Sequence, residues 1–129
     1  MFRDSKVFSS FSTDDIARST EFYGDVLGLE VDTQTKPMNM LTIHLATGGL
    51  VLVYPKDDHA PATYTVLNFP VAAIDQVVDE LVNKGVTFEH YENMTDEKGI
   101  TRGISTSSGP DIAWFKDPAG NILSVIQEK

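Results

Sequence analysis

Cysteine is absent from the chain, which removes disulfides, thiolate nucleophiles and thiolate metal ligands at once. Histidine is scarce, with three residues at positions 44, 59 and 90. Positive charge is also short: 10 Lys and Arg stand against 19 Asp and Glu, a formal net charge of −9. Such a surface repels phosphate backbones and no Lys/Arg cluster offsets it, so nucleic acid and anionic membranes are poor partners. The acidity itself is read as solubility. No apolar run approaches the ~18 residues of a membrane helix. The opening MFRDSK and the following VFSSFSTDD are too polar for a signal-peptide core, so the expectation is a soluble, cytoplasmic protein. There is no Gly-x-Ser-x-Gly elbow, and Gly48-Gly49, Gly99 and Gly103 do not fit a phosphate loop. The paired carboxylates Asp14/Asp15 and Asp57/Asp58 fall in turns, where solvated charge accounts for them.

What is present reads as one domain of 129 residues. Val7 to Ser12 alternates like a half-buried strand. Thr13, Asp14 or Asp15 then offers a helix cap. Ile16, Thr20, Tyr23 and Leu27 recur at helical spacing up to Gly28. Strands follow at Leu29–Thr33, Met40–Ala46 and Leu50–Tyr54, and Pro55 stops the last. The charged stretch 56–62 reads as a linker. The pattern then restarts. Tyr64–Val71 is a strand, and Ile74, Val77, Val78, Leu81 and Val82 form an amphipathic helix ended by Gly85. Val86–Tyr91, Ile112–Phe115 and Ile122–Gln127 are strands, with Glu92–Pro110 as a long hairpin or mobile loop. Strand, helix, three strands thus occurs twice, as an internal duplication by pattern. The fold class is α+β: two βαβββ modules, about 1–55 and 63–129, forming a curved mixed sheet with helices outside and a concave inner face.

Two stretches carry a family resemblance. Asp15-Ile-Ala-Arg-Ser-Thr-Glu-Phe-Tyr-Gly-Asp-Val-Leu-Gly-Leu-Glu-Val31 is similar to the first helix and the turn into the second strand of the glyoxalase/bleomycin-resistance (vicinal oxygen chelate) superfamily. Trp114-Phe-Lys-Asp-Pro-Ala-Gly-Asn-Ile-Leu-Ser124 resembles its final hairpin. In that hairpin Pro presets the turn, Gly and Asn accept positive φ, and Asp117 can bond nearby amides.

The resemblance implies a metal site in some members, built from inward His and Glu residues with open positions for substrate oxygens. The matching positions here are Phe8, Val51 (with Val53 the next inward residue), Val66 and Ser124, none of them a ligand for such ions. No metal and no cofactor is therefore expected. By the two-residue strand period Ser10, Tyr64 and Asn68 should face the same side as Phe8 and Val66. Together they line a ligand surface with an apolar floor and a few polar tips, or they pack together and leave no cavity. Trp114 is a stacking candidate, or else core or dimer interface. Arg102, in the Glu92–Pro110 segment, could close over an anion or stay solvated.

The leading expectation is a metal-free homodimeric binder of a small neutral or aromatic molecule. One alternative is a lyase or dioxygenase-type enzyme. It would use unusual metal ligands, His44 or His90 with Glu89 or Glu92, or metal-free acid–base chemistry. Another is an accessory interaction module whose cavity has filled in.

Overall fold

The computed structural model describes residues Met1–Lys129, which divide into two compact units, Met1–Pro61 and Ala62–Lys129. In the first unit β1 (Ser9–Thr13) leads into α1 (Ile16–Glu21), followed by β2 (Glu30–Gln34), β3 (Met40–His44) and β4 (Leu50–Pro55). In the second, β5 (Thr65–Pro70) leads into α2 (Ile74–Asn83), followed by β6 (Ile100–Thr101), β7 (Asp111–Lys116) and β8 (Ile122–Gln127). The sheets run β1-β4-β3-β2 and β5-β8-β7-β6. In each, the first strand pairs parallel with the last and the remaining pairs are antiparallel. The duplication read from the pattern is thus a duplication of topology.

Local chemistry explains where the helices begin and end. Asp15 caps α1, its carboxylate accepting from the Arg18 N–H at 3.1 Å. The helix widens into a π-turn over Phe22–Val26, where the Leu27 N–H reaches the Phe22 carbonyl at 2.9 Å. Gly28 then takes φ +71° and Gly85, after α2, takes φ +94°, conformations that cost glycine nothing. Ala73, at the start of α2, has no side-chain acceptor, so the first N–H, that of Ile74, is satisfied instead by the Gln127 side chain at 2.9 Å.

Each sheet buries one face against its own helix. In the first unit Leu41, Ile43, Val51 and Val53 are buried with Ile16 and Tyr23. In the second, Ala113, Phe115, Leu123 and Val125 are buried with Ile74, Val78 and Leu81. Burial of such side chains stabilises by about 1.5–3 kcal/mol each. No helix is long and apolar enough to cross a membrane.

The segment between α2 and β7 differs from its sequence reading. Val86–Tyr91 is not a ladder strand; it makes one isolated bridge, Phe88 to Phe115. The pairing partner of β7 is instead the two-residue β6, inside the stretch expected to be a loop. That stretch is pinned by charge. Arg102 donates to both carboxylate oxygens of Asp75 at 2.8 Å and to Asp96 at 2.9 Å. Asp96 also accepts from the Lys98 and Ile100 N–H groups, both at 2.9 Å. The Arg102 guanidinium holds the Asp75 carboxyl well below the usual carboxylate range. A polar composition suggested mobility; a bidentate ion pair instead ties the loop to α2.

Two outcomes follow from these contacts. Asp75→Asn should lower the unfolding free energy at pH 7 by about 1 kcal/mol, a figure already reduced because Asp75 is half exposed and screened by solvent. A carboxyl with a depressed folded pKa stabilises above its unfolded value of about 3.9 and loses that contribution below it. The gap between wild type and variant in urea melts should therefore hold from pH 7 to 5 and shrink at pH 3. The buried Asp117 accepts from the Ala119 and Asn121 N–H groups and from Asn121 Nδ2 at 2.9, 2.9 and 3.0 Å. Asp117→Ala strands these donors and should cost about 3 kcal/mol, read as a lower urea midpoint at unchanged m.

Candidate functional site

Strand pairing sorts the candidate residues onto faces. Across β1 and β4, Ser10 stands beside Leu52 and Ser12 beside Tyr54, while Ser9 and Phe11 stand beside Val51 and Val53. The Phe11 ring meets Tyr23 at 6.0 Å, which fixes the second set as the face under the helix. Val51 and Val53 are 2% and 0% exposed there. They do not share a face with Ser10. The expected fourth-strand position was offset by one residue, and one residue turns every side chain over. The face away from α1 presents Ser10, Ser12, Leu52 and Tyr54, with Thr42 beside Leu52 and His44 beside Leu50. Phe8 lies just before β1 and is largely exposed.

Two histidines are partnered in this unit. Ser12 Oγ and His59 Nδ1 are 2.7 Å apart, so the segment read as a free linker is tied back to β1. His44 Nε2 is 2.6 Å from Asp32 Oδ2.

In the second unit the face away from α2 carries a row of three candidates. Asn68 pairs with Ser124 and Ser124 with Trp114. Ser124 is fully buried, and its hydroxyl donates to Asn68 Oδ1 at 2.5 Å. The Tyr91 ring stands edge-on to Trp114 at a centroid distance of 5.7 Å, an arrangement aromatic pairs favour. The Glu89 N–H donates to the Trp114 carbonyl at 2.8 Å and so holds this segment beside β7. In the next row of the same face Ile112 and Pro70 flank Ile126. The Trp114 indole N–H and the Asn68 amide N–H₂ have no acceptor within the protein. The row therefore offers an aromatic surface and two unused donors, and it contains no ionisable group.

Three candidates lie elsewhere. Val66 sits at a β-bulge between Thr65 and Leu67 and has no cross-strand partner. Tyr64 precedes β5 and is 69% exposed. Arg102 is consumed by Asp75 and Asp96, so it is not a mobile anion clamp. The residues that sequence reasoning passed over are Leu52, Tyr54 and Tyr91. Correct strand parity finds the first two. Tyr91 needs a tertiary contact that no local pattern encodes.

Within neither unit do three His, Asp or Glu side chains come together in a way that could hold a metal ion. His90 is exposed and Glu89 is spent on Lys116 at 3.2 Å.

The match to known proteins is of fold and family. Comparison with curated proteins gives no match. Among solved structures the chain resembles TnmS3, an antibiotic binding protein from Streptomyces sp. CB03234, at TM-score 0.71 and 17% identity, covering 95% of this chain and 93% of that one. A glyoxalase/dioxygenase from Nostoc punctiforme superposes at TM-score 0.70 and 15% identity, covering 99% and 92%. A member of the glyoxalase/bleomycin resistance protein/dioxygenase superfamily from Sphaerobacter thermophilus DSM 20745 gives 0.69 and 25%, covering 94% of each chain. The family model matches residues 9–125, nearly the whole of both βαβββ units. The chain belongs to the glyoxalase/bleomycin resistance protein/dioxygenase superfamily.

Proposed function

We propose that the protein binds a small neutral or aromatic molecule carrying acceptor oxygens, without a metal and without chemistry on it. The observation that carries this reading is the Asn68–Ser124–Trp114 row, where the aromatic pair Trp114–Tyr91 lies beside two donors unpartnered in the protein. A planar ring stacks on such a surface, and a carbonyl or hydroxyl oxygen takes the donors. Ser124, at the family's last-strand ligand position, is buried with its hydroxyl spent on Asn68, which supports a metal-free site. On the first unit's corresponding face the imidazoles are already engaged, His44 by Asp32 and His59 by Ser12. The row holds no acid–base group, which favours sequestration over catalysis. That TnmS3 is an antibiotic binding protein is compatible with the same role here. In this reading the two units act as one domain and the protein works in the cytoplasm as a homodimer, for which the exposed Val7, Phe8 and Tyr64 supply apolar surface.

Trp114 is the only tryptophan, so its fluorescence reports on the site directly. Titration with 2-acetylnaphthalene should quench it saturably, and 2-ethylnaphthalene, which lacks the acceptor oxygen, should bind more weakly. By calorimetry Trp114→Ala should raise Kd about tenfold, equivalent to about 1.4 kcal/mol, and Trp114→Phe should recover part of that. Equal binding of both probes, or an unchanged Kd in Trp114→Ala, would reject this surface as the site.

A further inference from the structure

A second concavity lies on the opposite, helix-bearing side of the second unit. It is a groove of about 380 Å³ between α2 and the segment running from Val86 to Lys98, a volume in the range of small-molecule sites. Its floor is apolar: Val78, Val86 and Phe88 are buried, and Val82 is 52% exposed on a helix whose other apolar residues mostly turn inward. Phe88 also packs on Phe115 at a ring distance of 5.4 Å, so the floor is anchored in the core.

The rim is acidic. Lys98, the one cation lining the groove, is neutralised by Asp79 at 3.0 Å and Asp75 at 3.1 Å. Glu97 and His90, also on the rim, have no hydrogen-bond or ion-pair partner in the protein. The lining carboxylates Asp79 and Glu97 outnumber the one lining ammonium, Lys98, on a chain whose net charge is −9. A half-exposed Val82 over an apolar floor, beside an unpaired carboxylate, complements a ligand with an apolar body and one positive charge. The volume suits a single such molecule and is too small for a helix laid along it.

From this geometry we infer a second ligand site, for a hydrophobic amine, in the groove beside Val82 and Glu97. The apolar body covers Val82, and the ammonium is held by the Glu97 carboxylate. The site is distinct from the Trp114 row, although His90 of the groove neighbours Tyr91, which stands against Trp114.

The test uses 4-phenylbutylammonium chloride, with 4-phenylbutanol and 4-phenylbutyrate as isosteric controls, titrated into the ¹⁵N-labelled full chain. The amine should shift the amide signals of Val82, Phe88, His90 and Glu97 saturably. The alcohol should bind more weakly and the carboxylate should leave these signals in place. Glu97→Gln should weaken the amine about two- to fivefold, as expected for an exposed ion pair. Val82→Lys, on an exposed helix position that does not threaten the fold, should abolish the shifts while leaving the Trp114 indole signal unmoved. Equal shifts from amine and carboxylate, or full-strength amine binding in both variants, would overturn the inference. Shifts confined to the Trp114 indole would also overturn it, while leaving the Trp114 site intact. Groove shifts with no naphthalene binding at Trp114 would do the reverse.

Discussion

In each unit a helix crosses over between the first two strands, and the last strand returns to lie parallel to the first. That crossover covers one face of the sheet and leaves the other to strand side chains alone. Because successive residues point to opposite faces, the parity of β1, β4, β5 and β8 decides which side chains become core and which can meet a ligand. Val51, Val53, Leu123 and Val125 fall on the helix side and are buried. Leu52, Tyr54, Asn68 and Trp114 fall on the other side. Ser124 falls there too and is buried, its hydroxyl spent on Asn68.

The same parity separates what the superfamily framework needs from what the other face of each sheet carries. Its framework needs apolar residues on the helix side, an N-cap before α1, glycines after both helices and an acid in the last hairpin. Each is present: Asp15, Gly28, Gly85 and Asp117 perform those tasks. Nothing in these tasks requires His or Glu on the other face. Ser10, Leu52 and Tyr54 in the first unit and Asn68 and Trp114 in the second are therefore compatible with the fold.

Much of this was legible in the residues. Helix spacing, helix-ending glycines and the Asp-Pro-Ala-Gly-Asn turn are local signals, and they located both βαβββ units and the final hairpin. The structure sets Asn68, Ser124 and Trp114 in one row, and the fixed turn between β7 and β8 gives those two strands a point to count from. Val51 and Val53 were set on the wrong face because β4 reads Leu-Val-Leu-Val-Tyr, apolar on both sides, so composition gives no parity. Val66 was misplaced by a bulge, which inserts a residue without any sequence mark here. The order in 92–110 was hidden because it rests on Arg102 reaching Asp75, a contact between residues far apart in the chain.

The account's central claim is that this face recognises an organic molecule without a metal. It is tested most directly by elemental analysis of untagged protein incubated with Zn²⁺, Ni²⁺, Mn²⁺ and Fe²⁺ and then desalted. The account predicts that no metal is retained near one ion per chain. Stoichiometric metal removable by chelator would contradict it and would direct attention to His44 or His90 and to lyase or dioxygenase chemistry.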